Sequence, residues 1–173
     1  YTQIYEKNAP SIVSIESQSQ SEYGTGTGII MTEDGYIITN AHVVAGADEV
    51  RVALSNNSVL QASLVGFDAD EDLAVLKVDA SGLTPAEVGD SAALRIGDPV
   101  AAIGDPLGYR STITDGIISA LDREVEVDGT TMVLIQTSAA INFGNSGGAL
   151  INQYGQVVGV TTIKIVTEDG SAE

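Results

Sequence analysis

The amino-acid sequence predicts an all-β protein made of two antiparallel six-stranded β-barrels packed together. Short β-branched runs recur along the chain at about the spacing of sandwich and barrel strands. Glycine contributes 19 residues, many at the ends of those runs, while aromatic residues make up only 5%. Two groups of about six runs flank one stretch, residues 79–98, in which Gly, Pro and Asp break the pattern. Barrels close their own edges and leave no open strand as a template for aggregation, which favours them over the alternative, a single larger sandwich. The expected partition is an N-terminal barrel at 1–85, a connector at 86–98 and a C-terminal barrel at 99–173.

The first element is a short amphipathic segment around Ile4 and Tyr5, ended by Pro10, whose ring cannot continue a helix. SIVSIE follows as a strand. TGIIM and YIITN then form a hairpin through Glu33, Asp34 and Gly35, Asp-Gly being a strong turn signal. EVRVAL and VLQASLVGF are joined by the polar Ser55, Asn56, Asn57 and Ser58. In the former, Val50, Val52 and Leu54 alternate with other residues, as on an antiparallel strand with one buried face. DLAVLKV completes the first group, and the connector holds one helical turn capped by Asp90. The second group comprises PVAAIG, STITDGIISAL, EVEV turning at Asp128 and Gly129, MVLIQT, GALIN turning at Tyr154 and Gly155, and QVVGVTTIKIV.

With 24 Asp plus Glu against 7 Lys plus Arg, the net charge of −17 excludes the basic face that a nucleic acid or anionic membrane would require. The absence of cysteine removes disulfide scaffolds, thiol nucleophiles and Cys-based metal sites. One histidine leaves no His-rich metal site, so neither a metal nor a cofactor is expected. At this length folding buries roughly 70% of the extended chain's surface, enough for a core without staples. No apolar run is long enough to span a membrane, and the start lacks the features of a signal peptide. The last residues, TTIKIVTEDGSAE, stop without a capping element, as expected of a piece of something longer.

The most specific segment is AAINFGNSGGALIN, residues 139–152. Glycines around Ser146 allow a sharp turn that holds the hydroxyl outward and aims the N–H groups of Gly144 and Ser146 at one point, the geometry of an oxyanion hole. The plain alternative is a glycine-rich hairpin loop with a solvated serine. The only histidine, His42, follows a strand in IITNAHVVAGA; a lone histidine among apolar neighbours is more often a satisfied core residue. Asp72 stands at the polar-to-apolar step that opens DLAVLKV, where a half-buried carboxylate needs a partner. A calcium loop starting at Asp68, Asp70 and Asp72 is the rival. It has Leu73 where glycine is needed and Asp79 where a bidentate Glu belongs. The order His, Asp, Ser along an all-β chain is the one found for this triad in double β-barrels, with His42 and Asp72 in the first group and Ser146 in the second.

TNAHVV, DLAVLKV, GIISAL and INFGNSGGALIN together resemble the HtrA/Deg family of trypsin-like serine proteases, and the resemblance covers essentially the whole chain. It implies a chymotrypsin/trypsin-like fold, a His42, Asp72 and Ser146 triad, and an oxyanion loop shaped by Gly144, Asn145 and Ser146. It also implies unfolded or misfolded polypeptides as substrates, homotrimers, an extracytoplasmic place with a possible membrane tether, and following PDZ domains, for which these residues leave no room. Tyr1, Ile4 and Tyr5 are candidates for trimer contacts or for an apolar staple on the barrel. One departure is Ser138, where the family usually carries Asp, in TSAAIN. Phe143 is a type the family uses before the glycine.

The implied mechanism has Ser146 attack a peptide carbonyl as His42 takes its proton, while Asp72 holds the imidazole tautomer. Activity is then expected to rise as pH passes roughly 6.5, the unperturbed histidine value, or somewhat higher. Ala140 stands six positions before Ser146, where trypsin-like pockets for basic residues place an Asp. With Ile141 beside it and Ile163 on the facing strand, the pocket is expected to take small aliphatic side chains, though core packing is the equal alternative for Ala140 and Ile141. Because the family's oxyanion loop shifts between active and inactive forms, this chain alone is expected to be weakly active. The readings kept beside the protease are a catalytically silent chaperone or binding module on the same fold and a non-enzymatic, calcium-binding acidic β-domain.

Overall fold

The computed structural model describes residues 1–105, 111–127, 129–142 and 145–162. A helix α1 (Thr2–Asn8) and a 3-10 turn (Ala9–Ser11) containing Pro10 lead into β1 (Ile12–Gln18). Then come β2 (Tyr23–Ile30), β3 (Tyr36–Thr39), the single-turn α2 (Ala41–Val44), β4 (Glu49–Ala53), β5 (Val59–Asp68) and β6 (Leu73–Val78). These six strands close into a barrel in the order β1-β2-β3-β6-β5-β4, so no edge is left open. Val13, Ile15, Ile30, Ile37, Leu76 and Val78 point inward and form its core.

The neighbours of those residues point the other way. Ile12, Ile29 and Ile38 are aligned across β1, β2 and β3, and pack against Ile103, Ala149 and Ile151 of the second sheet. The seam between the two halves is therefore the outer face of one barrel wall. The period-2 alternation makes β2 and β3 apolar on both sides, and this is why Ile-Ile pairs recur there. Ile4 and Tyr5 of α1 pack on the same seam, while Lys7 Nζ meets Glu87 Oε2 at 2.6 Å and fastens the helix to the connector.

The connector carries a 3-10 turn, Ser91–Ala93, with the Asp90 carboxylate accepting from Ala92 N at 2.9 Å, the cap its sequence predicts. Beyond it lie β7 (Pro99–Gly104), β8 (Thr112–Val127), β9 (Thr130–Thr137), β10 (Ala149–Asn152) and β11 (Val157–Val160). Among the described residues they form one curled sheet, ordered β11-β10-β7-β8-β9. STITDGIISAL and EVEV, expected as separate strands, are one continuous strand. Its first part pairs with β7 and its second with β9. Register shifts at Ala120 and a left-handed Asp122 (φ 53) absorb the extra residues, so the strand bends instead of ending. This is the chymotrypsin-like architecture that the resemblance implies.

Candidate active site

His42 lies in α2, directly after β3. Ala41, Val43 and Val44 on the same turn are buried, yet the His42 side chain is 38% exposed. It is thus not a satisfied core histidine. Asp72 precedes β6 with φ 53, a left-handed conformation that Asp tolerates better than most residues. The turn before it is shaped by Asp68, whose Oδ1 accepts from the N–H groups of Asp70 and Glu71. Asp68 and Asp70 are exposed while Asp72 is buried, and among the described residues no three metal-binding side chains gather.

Asp72 is 2% exposed and faces His42 twice, accepting from the backbone N–H at 3.0 Å through Oδ1 and meeting Nδ1 at 2.7 Å through Oδ2. The hydroxyl of Thr162 donates to the same Oδ2 at 2.9 Å. Burial alone would push the carboxyl up, but the His42 side-chain and backbone bonds and the Thr162 hydroxyl outweigh it, holding Asp72 below the usual carboxylate range. On the other side of the imidazole, Nε2 stands 3.2 Å from Ser146 Oγ. The three residues expected as a triad are therefore joined end to end by hydrogen bonds.

Ser146 sits in a turn held by several backbone hydrogen bonds. Thr27 N donates to Ser146 O at 2.9 Å, Gly147 N to Thr161 O at 2.8 Å and Gly148 N to Asn145 O at 2.9 Å. Asn145 N donates to Asn142 O at 3.1 Å, while its side chain braces the approach to the turn by bonding Asn142 N and Ala140 O. Asn145 thus supports the loop, its backbone N–H being engaged by Asn142 O. Gly144, Phe143 and Ile163 lie outside the described residues. Ala140 is exposed and Ile141 partly so, and neither brings a charge.

Gly147 shows why glycine follows the serine. Its φ is +84°, and a Cβ there would stand 2.2 Å from Thr27 O. Gly147→Ala is expected to lose roughly 2–5 kcal/mol, the left-handed backbone and the overpacking acting together. Chemical denaturation reads this directly, and a loss below about 1 kcal/mol would contradict it.

Ser138, which stands in place of the family's usual acid, is tied to β8. Its Oγ accepts from Ile117 N at 3.0 Å and its N–H donates to Ile117 O at 3.1 Å. Opposite it Gly116 has no room for a side chain, a Cβ there falling 2.3 Å from Ala139 N. Serine therefore anchors the base of the loop.

Behind the turn lies a second buried carboxylate, unforeseen in the sequence. Asp105 N donates to Thr27 Oγ1 at 3.0 Å, but among the described residues its buried Oδ1 has no partner, and burial pushes the carboxyl up. A raised folded value means that stability is fully present below the ordinary Asp value, about 3.9, and falls as pH climbs through the folded one. Asp105→Asn is expected to stabilise the protein at pH 8 and to change its stability far less near pH 3.5. Equal effects at both pH values in thermal or urea unfolding would remove this explanation.

A family model for the trypsin-like peptidase domain matches residues 26–160. The chain belongs to the trypsin-like peptidase family. A probable periplasmic serine endoprotease, DegP-like, of Halomonas elongata is 48% identical over 155 residues, 90% of this chain and 32% of that protein. The solved structure of an HtrA-type protease, AlgW with tripeptide, superposes with a TM-score of 0.87 at 42% identity, covering 92% of this chain and 53% of that one. The crystal structure of Deg5 gives 0.83 at 37% identity, covering 94% and 83%. Within the peptidase family, then, this is an HtrA/Deg protease domain. It spans about a third of the length of the curated relatives it matches.

Proposed function

We propose that this domain is a serine endopeptidase, with Ser146 as nucleophile, His42 as general base and Asp72 as the group that orients and stabilises the imidazole. The observation that carries the reading is the unbroken path of 2.7 Å from Asp72 Oδ2 to His42 Nδ1 and 3.2 Å from His42 Nε2 to Ser146 Oγ. Because Asp72 is deprotonated and accepts at Nδ1, the neutral imidazole carries its proton there. That leaves the Nε2 lone pair facing the hydroxyl. Ser146 attacks the carbonyl carbon as its proton passes to Nε2, and the same proton later goes to the departing amine. The Ser146 and Gly144 N–H groups are assigned to the oxyanion, each a donor worth about 3 kcal/mol in such sites.

The substrates are unfolded polypeptides, whose extended segments can reach a cleft between two β units and pair with a strand beside it. Ala140 and Ile141, with Ile163, would form a pocket for Val, Ala or Leu, since no carboxylate stands at those positions to hold a basic side chain. The domain works outside the cytoplasm, as the periplasmic names of its relatives suggest. Its proposed assembly is a homotrimer, as the family resemblance implies. Ile4 and Tyr5 are already packed on their own chain, which leaves Tyr1, 56% exposed, as the outward candidate for a subunit contact. A single-chain mass in sedimentation would remove the trimer.

A serine-directed fluorophosphonate tests the central reading. The modified residue, located by mass spectrometry, is expected to be Ser146, and unfolded casein to be cleaved mainly after small aliphatic residues. Absence of labelling would favour a silent module on the same fold, and cleavage mainly after Lys or Arg would refute the pocket.

A further inference from the structure

Thr161 directly follows β11 and is buried behind the nucleophile turn. It bonds that turn through every polar atom it has. Its N–H donates to Gly148 O at 2.9 Å, its carbonyl accepts from Gly147 N at 2.8 Å, and its hydroxyl donates to Asn145 O, with Gly148 O a more distant second acceptor at 3.3 Å. The carbonyl also accepts from Asn40 Nδ2 at 2.9 Å. Asn40 is wholly buried in the other half of the molecule, two residues before His42, at the start of α2. One residue thus links the turn that holds the nucleophile to the turn that holds the base.

The hydroxyl bond has a directional consequence. A trans peptide is planar, so the C=O of Asn145 and the N–H of Ser146 point in opposite directions. Thr161 Oγ1 and Gly148 N together draw the Asn145 carbonyl toward the buried side. The Ser146 N–H is then turned away from it. The next peptide is pinned at both ends in the same way, Gly147 N to Thr161 O and Ser146 O to Thr27 N. We infer that Thr161 is a positioning residue: with its backbone carbonyl anchored by Asn40, its hydroxyl fixes the 145–146 peptide so that the Ser146 N–H serves as an oxyanion donor. This rests on the protease reading proposed above. A valine has nearly the shape of threonine but no hydroxyl, so Thr161→Val removes this restraint and keeps the packing.

The expected result for Thr161→Val is a fall of roughly ten- to a hundredfold in kcat for a chromogenic peptide, below the full effect of deleting an oxyanion donor, with KM changed less than about threefold. Affinity for a peptidyl trifluoromethyl ketone, whose adduct carries the oxyanion, falls by the same factor as kcat/KM. Thr161→Ser, which keeps the hydroxyl, restores both. A kcat within twofold of the wild type overturns the inference, as does a loss that Thr161→Ser fails to restore or one that appears in KM alone. Amide hydrogen exchange reads the clasp without catalysis. The Gly147 and Gly148 amides are expected to exchange at least tenfold faster in Thr161→Val, and unchanged exchange overturns the clasp. If the wild type neither hydrolyses peptide nor takes the fluorophosphonate, the protease reading fails, and exchange alone decides the role of Thr161.

Discussion

Ser146→Ala is expected to lower kcat by about 10⁶ while leaving the fold intact. The two halves of this expectation have separate grounds. Among the described residues the hydroxyl is bonded to His42 Nε2 at 3.2 Å, and removing it takes away the atom proposed to form the acyl intermediate. What holds the turn is backbone and neighbours: Ser146 O with Thr27 N, Gly147 N with Thr161 O, Gly148 N with Asn145 O. None of these involves the serine side chain. Stability is therefore expected to stay within about 1 kcal/mol of the wild type. Casein cleavage and fluorophosphonate uptake, measured beside the melting temperature, check both. Cleavage by the alanine variant at a hundredth of the wild-type rate or better would mean that another group performs the reaction.

The strands and turns were legible because they follow from short-range patterning. Val50 and Val52 are buried where the alternation puts them, and Ile37 and Ile38 face opposite cores as neighbours on a strand must. His42, Asp72 and Ser146 were legible for a different reason. Each stands at the edge of an apolar run, and chain order in an all-β protein then relates the three. What stayed hidden depends on contacts that cross the molecule. Thr161 and Thr162 look like ordinary strand threonines beside the apolar Ile163. Their roles appear only when the end of β11 passes behind the nucleophile turn and Thr162 reaches an aspartate 90 residues away. Asn40 and Asp105 were missed likewise, since burial against the opposite half has no signature in their own neighbours. Continuity of β8 through Asp122 was hidden because a left-handed non-glycine residue inside a strand is uncommon.

Asp72→Asn is expected to reduce kcat by about 10⁴ at neutral pH, a larger loss than any change in packing would give. Three donors converge on this carboxylate: the His42 backbone N–H on Oδ1, and His42 Nδ1 together with the Thr162 hydroxyl on Oδ2. An amide has one oxygen for them. If that oxygen stays with the backbone N–H, the new NH₂ faces Nδ1, which must then accept. The imidazole proton moves to Nε2, where it points at Ser146 and blocks the transfer of the serine proton. If the amide turns over, Nδ1 keeps its proton but two donors collide at the backbone N–H of His42, and the turn that carries the base is strained. Both orientations damage the base, one through its proton and the other through its position. Stability adds an independent check. The Asp72 carboxyl is held below its ordinary range, so its contribution is present above the unfolded value, about 3.9, and is lost as pH falls through the folded one. The stability gap between wild type and Asp72→Asn is thus expected to be widest near neutral pH and to close toward pH 2. Labelling rates within tenfold of the wild type, or a gap that widens in acid, would show that Asp72 does not hold the imidazole in the way its hydrogen bonds require.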